Sequence, residues 1–356
     1  LGIANTAVRD ALPTAVTLTP GSAVRSLSQY NETSYADFVL QQAALANTAR
    51  AALPSDARNL EFRLPSSPDS RFSFNAKANF DAGKNGYRGT ANLVATGANV
   101  GDGALEILAD GARTTPDFDG LSLHARDLNA IGAARLTVGG NLQSTYGTPT
   151  GGANLSNYVD VGGETGRIVL REGAILKAPE VFLVAASTTG GISIEAGAGI
   201  NTIGMGKAPY DSTNGYVYRP GAVSVVAASN GWLNMLAPLQ QDDPTLPMGA
   251  GPIAIGACGT AVLCQGTTEL YSEGTLLAAT RSSFDMSDRV RYGTRNLVLA
   301  VGTVNAGSSE DLAAAAARGA LTAGLSLNQD LLDRLLRGDT AYGAPALERL
   351  VLTAAE

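Results

Sequence analysis

Few residues in this chain could do covalent chemistry, and their spacing narrows what that chemistry could be. His124 is the only histidine, so a metal site built on two imidazoles is impossible. A Ser-His-Asp relay would have to pass through it, yet no nucleophile-elbow pattern occurs. The residue sits in the alternating run Leu121-Ser-Leu-His-Ala, where strand parity turns it outward. Carboxylates come in two close pairs: Asp117 with Asp119 in Thr115-Pro-Asp-Phe-Asp-Gly, and Asp242 with Asp243 before Pro244. Two carboxyl groups at a set separation, one protonated and one ionised, are what glycosidic hydrolysis needs. Those four residues are the catalytic candidates of an enzyme reading. Aspartate beside Pro or Gly also makes turns between strands, and the turn is the simpler expectation.

Binding chemistry is equally sparse. Tyr210, Tyr216 and Tyr218 cluster in one loop, and Trp232 is the only tryptophan. Such rings stack on sugars when exposed and pin a loop when buried, so these four are the weak binding candidates. Cys258 and Cys264 are the only cysteines, with no histidine near them. That makes a poor zinc set and favours a short disulfide clamping a loop in an oxidising compartment. Two reduced thiols acting as small apolar residues are the alternative. Arg337-Gly338-Asp339 matches a tripeptide that integrins recognise, but its glycine is placed as a helix terminator. Calcium-binding nonapeptides and glycine loops for phosphate or dinucleotide are absent, and the acids are dispersed. Neither a metal nor a cofactor is expected.

Bulk properties exclude further partners. The net charge is −7 and basic residues are thinly spread, which disfavours nucleic acid and anionic membranes. No stretch of about 18 apolar residues occurs, so no transmembrane helix is expected. Hydrophobic residues make up 45% of the chain, enough for a large core. Aromatic residues are only 6%, so small and aliphatic side chains must fill that core, which suits narrow layers.

The elements that would position these residues follow a recurring phrase. Short aliphatic runs broken by Gly, Asn or Asp return roughly every twenty residues. Examples are Leu121-Ser-Leu-His-Ala, Asp127-Leu-Asn-Ala-Ile-Gly, Arg167-Ile-Val-Leu, Glu180-Val-Phe-Leu-Val-Ala, Gly191-Ile-Ser-Ile and Gly221-Ala-Val-Ser-Val-Val. One such strand cannot bury its apolar side alone, whereas a stack of them shares a core. The expected fold is therefore all-β: a right-handed parallel β-helix, or solenoid, with a small two-helix insert and a partly helical N-terminal segment. Residues 1–60 form that segment, with a helix over 35–53 capped at Thr33-Ser34 and stopped by Pro54. Residues 61–103 are a strand-rich entry, with a hairpin or meander through Arg71–Phe80 and Tyr87–Val94. The stack proper spans 104–307 and carries two side loops, 205–220 and 237–252. Residues 308–338 hold the helices, with Leu327, Leu331, Leu332, Leu335 and Leu336 making one apolar stripe. Residues 339–356 add a final strand.

Two stretches carry a family resemblance. The run Ala125-Arg-Asp-Leu-Asn-Ala-Ile-Gly-Ala-Ala-Arg-Leu-Thr-Val-Gly-Gly resembles segments of filamentous-haemagglutinin-type exoproteins of two-partner secretion. So does the stretch from Gly307-Ser-Ser-Glu-Asp-Leu to Gly338-Asp-Thr-Ala-Tyr-Gly-Ala-Pro-Ala-Leu-Glu. Together they cover about residues 100–356. The resemblance implies a long parallel β-helix exported through an outer-membrane secretion pore, acting as an adhesin or stalk. The family's secretion domain carries Asn-Pro motifs, and no Asn-Pro pair occurs here, so this segment is expected to lie downstream of that domain.

The functional expectation is an internal segment of a large secreted or surface-displayed bacterial exoprotein, non-enzymatic, serving as adhesin or rigid stalk. Its partners would be the secretion pore and a host or bacterial cell-surface receptor or glycan. A β-helical polysaccharide hydrolase or lyase is the first alternative, although Asn-Thr-Asp and Gly-His-Gly, expected of a polygalacturonase-like enzyme, are missing. A structural component of an extracellular filament is the second.

Overall fold

The computed structural model describes residues 7, 17–27, 33–46, 49–144, 158–187, 189–237, 250–259 and 264–354. Its organising element is an eight-stranded sheet whose strands follow one another in chain order. They are Asn59–Pro65, Thr90–Thr96, Arg135–Val138, Glu180–Ala185, Ser224–Ser229, Thr275–Thr280, Asn296–Val301 and Arg349–Ala354. At about 4.8 Å per strand step, seven steps span roughly 34 Å. A second eight-stranded sheet is built from the intervening chain, again mostly in order: Gly103–Leu108, Thr165–Leu170, Gly191–Ile194, Ile253–Ile255 and Phe284–Met286 form its middle. A four-stranded sheet and a three-stranded sheet complete the layers.

Alternation along the strands explains why the first sheet sits inside the molecule. In Glu180–Ala185, Val181, Leu183 and Ala185 face one core while Phe182 and Val184 face another. Thr275–Thr280 and Asn296–Val301 divide the same way: Leu276, Ala278, Leu297 and Leu299 point to the first core, Leu277, Ala279, Val298 and Ala300 to the second. A strand buried on both faces needs an unbroken apolar run, which is how these segments read. Across strands the register lines up Leu93, Val138, Leu183, Val226, Ala278 and Leu299 in one row. The first core lies between this sheet and the second one. The other core is covered by Val159 and Val161 of the three-stranded sheet together with Tyr216, Tyr218, Leu233 and Met235.

This architecture corrects the expected all-β parallel solenoid. The strands fall into separate sheets, mixed and parallel, and among the described residues no closed coil joins them. Ser224–Ser229 runs antiparallel to both of its neighbours, and Gly140–Ser144 runs antiparallel to Tyr158–Gly163. The physical reason is that Ser-Val-Val-Ala-Ala-Ser reads almost the same in either direction. Side chains alternate faces whichever way a strand runs, so an apolar pattern fixes the faces and leaves the direction open. The expected beat also fails within the first sheet. Strand starts at 135, 180 and 224 lie 45 and 44 residues apart, and only 275 to 296, at 21, matches it.

Several local expectations change as well. Asp127–Gly132 is not a strand: Ala125–Ala130 is a short helix that buries Leu128, with Ile131 just beyond it, in the first core. No strand forms over 71–80. Phe72 and Phe74 instead pack edge-on against Phe62, 5.1 and 6.2 Å between centroids, and Thr90–Thr96 pairs parallel with Asn59–Pro65 rather than in a hairpin. The first segment contains helices Gly21–Leu27 and Tyr35–Ala46, the latter capped by Ser34, whose hydroxyl accepts from Asp37 N at 3.1 Å.

Near the C-terminus, Ser308 caps helix Ser309–Ala317 and Asn328 caps helix Gln329–Arg337. Between them Leu325–Leu327 enters the second sheet, so the insert contributes a strand as well as helices. Leu331 and Leu335 are buried, while Leu336 of the expected stripe is exposed. No helix among the described residues is long and apolar enough to cross a membrane.

The two-sided burial sets different costs at different positions. Leu183→Ala, fully buried at the centre of the first sheet, is expected to cost about 2–5 kcal/mol. Arg63→Ala breaks a half-exposed ion pair with Glu164 and is expected to cost under about 1 kcal/mol. Denaturant unfolding of the two variants measures both.

Candidate functional site

One end of the first sheet carries a transverse polar row, made of strand starts except for Ser229, the last residue of its antiparallel strand. Thr90, Arg135, Glu180, Ser229, Thr275, Asn296 and Arg349 are register partners in sequence. Arg135 and Glu180, on adjacent strands, are both buried and joined by a hydrogen-bonded ion pair through Arg135 Nε. Ser229 Oγ donates to the other Glu180 oxygen at 2.9 Å, and Arg135 Nη2 donates to the Tyr218 hydroxyl at 2.9 Å. Thr275 and Asn296 continue the row by donating to the carbonyls of Gly231 and Gly274. Burial pushes the Glu180 carboxyl above its usual range, although Arg135 and Ser229 oppose the shift. Burial works most strongly against the Arg135 charge, but Glu180 together with Tyr218 and Tyr210 holds the guanidinium above its ordinary range.

The aromatic binding candidates surround this pair. Tyr216 and Tyr218 are buried, and Tyr218 stacks on Phe182 at 5.8 Å. Arg135 lies over the Tyr210 ring at 4.7 Å. Tyr87 contacts Tyr210 at 4.8 Å, and Arg50 covers the Tyr87 ring at 3.7 Å. Tyr210 and Trp232 are partly buried against the second core, with Arg349 5.1 Å above the indole. These rings therefore do not form an open sugar platform; they pin the loop and the N-terminal segment to the sheet. Asp56 anchors that segment. It accepts from Arg50 at 2.5 and 2.9 Å, from Leu53 N at 2.7 Å and from Tyr87 N at 2.8 Å. Burial alone would raise its carboxyl, but these donors hold it below the usual range.

Carboxylates do converge, though not the predicted ones. Glu106 and Glu195 are buried and share Arg171, which donates at 2.8 Å through Nε to Glu106 and at 2.7 Å through Nη1 to Glu195. Thr115 N and Ser122 Oγ also donate to Glu106, and Glu172 N donates to Glu195. Phe118 lies 5.5 Å from the Arg171 guanidinium and covers the group. Asp117 and Asp119, on either side of Phe118, are exposed, and Asp117 has φ 60°. They shape the turn that brings Phe118 down and do not face each other across a cleft. Asp242 and Asp243 lie outside the described residues, as does most of the 237–252 loop.

The remaining candidates are also placed. His124 is half-buried, with Nδ1 3.0 Å from the Ala109 carbonyl. Cys258 and Cys264 form a disulfide with their Cα atoms 5.4 Å apart. In Arg337-Gly338-Asp339 the carboxylate turns inward, accepting from the Tyr271 hydroxyl and from Ala341 N at 2.9 Å each. Gly338 has φ 59° at the helix end, so the tripeptide is a helix stop. Among the described residues no cluster of three or more His, Cys, Asp or Glu could hold a metal.

Sequence reading missed Arg135–Glu180, Glu106–Arg171–Glu195 and Arg50–Asp56. The available signal was a lone charge inside or beside an aliphatic run, as in Ala-Leu-Glu-Ile-Leu and Ala-Arg-Leu-Thr-Val. Burial on both faces then demands an opposite partner on a neighbouring strand.

Two predictions follow from these ion pairs. Arg135→Met strands a buried carboxylate and is expected to cost about 3–5 kcal/mol, while Arg135→Met with Glu180→Leu recovers most of it. With Glu180 raised in the folded state, the single variant should regain stability as pH falls through the folded pKa and lose it as pH rises, read by denaturant unfolding across pH. The Asp56 shift has the opposite sign. Its contribution is present above the unfolded value near 3.8 and disappears as pH falls through the lower folded value. Asp56→Asn should remove that acid sensitivity and expose the N-terminal segment to protease at neutral pH, measured by limited proteolysis.

Comparison with known proteins finds no matching family model, no similar curated protein and no similar solved structure.

Proposed function

We propose that this chain is a structural segment of a large secreted or surface-displayed bacterial exoprotein, working as a stiff stalk or adhesive strut and not as an enzyme. The observation that carries the reading is the pair of eight-stranded sheets enclosing one core, with the first sheet's strands following chain order. Main-chain hydrogen bonds of that sheet then run along the direction in which the chain advances. The Cys258–Cys264 disulfide supports an oxidising, extracellular setting. The resemblance to filamentous-haemagglutinin-type exoproteins supplies the partners: an outer-membrane secretion pore, and a host or bacterial surface receptor or glycan.

The buried carboxylates favour this reading over polysaccharide cleavage. Glu106 and Glu195 are both bonded to Arg171 beneath Phe118, so neither is free to protonate a leaving group or activate water. The exposed aspartates Asp117 and Asp119 have no partner in a cleft among the described residues. An assembled filament would use the same stack, but no observation favours it over a stalk.

Two measurements test the proposal. Incubation with neutral and acidic polysaccharides is expected to release no new reducing or unsaturated ends, and beads coated with the chain are expected to adhere to cells. Release of such ends, abolished by Glu106→Gln or Glu195→Gln in variants that still fold, would sink the non-enzymatic reading.

A further inference from the structure

A cavity of about 390 Å³ opens where helix Gln329–Arg337 meets the strand Val290–Gly293. Three arginines from two separate elements converge on it: Arg334 and Arg337 from the helix, Arg291 from the strand. In a chain of net charge −7, such a concentration runs against the background. Placement of cations at a helix C-terminus offsets the helix dipole, which accounts for the helical pair but not for Arg291. Arg334 is held in place by donating to the Ser287 and Met286 carbonyls at 2.8 and 3.2 Å. Arg291 is about two-thirds exposed, and Arg337 is also exposed.

Two carboxylates share the cavity. Asp339 is already engaged by Tyr271 and Ala341, with Arg291 only 3.9 Å away. Asp288 is exposed at the rim. Three guanidinium groups against two carboxylates leave one excess positive charge, which matches a singly charged anion. The volume exceeds what a small inorganic ion fills and lies at the lower end of ordinary ligand pockets. Planar guanidinium forks suit a carboxylate, and the Asp288 carboxylate at the rim can accept from a ligand hydroxyl. Met286 and Val290 add an apolar wall.

We infer that this cavity binds an acidic sugar unit, its carboxylate against Arg291 and Arg337 and its hydroxyls toward Asp288. The site stands apart from the stalk reading, since it requires binding and no cleavage and holds whatever the chain's mechanical role.

Calorimetric titration of the chain with galacturonate, neutral galactose and sodium acetate tests it. Galacturonate is expected to bind at least about tenfold more tightly than either control, weakening as salt screens the arginines. The doubly substituted Arg291→Gln, Arg337→Gln chain, whose changes lie at exposed positions, is expected to lose at least about tenfold while its circular dichroism stays unchanged. Equal affinity for the charged and neutral sugars, absence of binding, or unchanged affinity in the double variant overturns the site. Acetate binding as tightly as galacturonate reduces it to a simple anion site and overturns the sugar assignment.

Discussion

The constraint on which the rest of this structure depends is burial of the first sheet on both faces. A sheet with one wet face can place polar groups outward and leave them to water. Here the centre of the sheet has an apolar core on either side, so buried polar side chains gather at strand ends and find partners within the protein. Asn92 and Thr137, inside their strands, are exceptions, and the Thr137 hydroxyl is left without a partner among the described residues. Strands such as Ser224–Ser229 and Thr275–Thr280 show the result, with Ser or Thr at each end and aliphatic residues between. At the far end from Glu180, the Ser224 and Thr280 hydroxyls both donate to the Gly251 carbonyl, at 2.5 and 2.8 Å. The sheet is thus bounded by two polar rims, and the Arg135–Glu180 pair is the charged member of one of them.

That pair is better understood as a register device than as a source of stability. Desolvating two charges costs about as much as their attraction returns, and apolar replacements of such pairs are often neutral or better. A one-residue slip of either strand, however, would reverse its faces and drive the charge into an apolar layer. The penalty for the wrong register far exceeds the gain for the right one. Because Arg135, Glu180 and Ser229 lie in one row, the constraint passes over three strands, including the antiparallel one. The Tyr210, Tyr216 and Tyr218 rings close over the same row, and through Tyr87 and Arg50 they fasten the N-terminal segment to it. The aromatic cluster is therefore spent on internal fastening.

The parts of the fold legible in sequence were those fixed by local chemistry. Aliphatic runs marked the strands, Ser34 and Ser308 marked helix starts, and two cysteines without histidine pointed away from zinc. What escaped was relational. The palindromic pattern of Ser224–Ser229 carries no direction, so nothing local separated a mixed sheet from a parallel coil. Ala125–Ala130 is too short for helical periodicity to declare itself, and its register with Ile131 emerges only against the core it fills. Phe72 and Phe74 alternate like strand residues because both must reach Phe62, not because they pair with a neighbouring strand. The predicted site fared worse, since spacing in sequence was used as a guide to proximity. Asp117 and Asp119 flank Phe118 and shape a turn, whereas Glu106 and Glu195 meet across 89 residues through Arg171.

The same physics separates the internal charge groups from the arginine cavity. Arg135, Arg171 and Arg50 each face carboxylates within the protein, at strand ends or under a covering ring, and each of these arginines is paired, Arg171 with two carboxylates. Arg291 and Arg337 stand at the surface beside a cavity, where Arg291 has only a long 3.9 Å pairing with Asp339, a carboxylate that also accepts from Tyr271 and Ala341. A matched buried charge fixes geometry, because the protein itself supplies the counter-charge and removes water. A loosely matched charge at the mouth of a cavity retains attraction for a ligand, and partial enclosure strengthens that attraction over what open water allows. The contrast in satisfaction, more than the count of charged residues, divides the groups that hold this fold together from the one placed to bind.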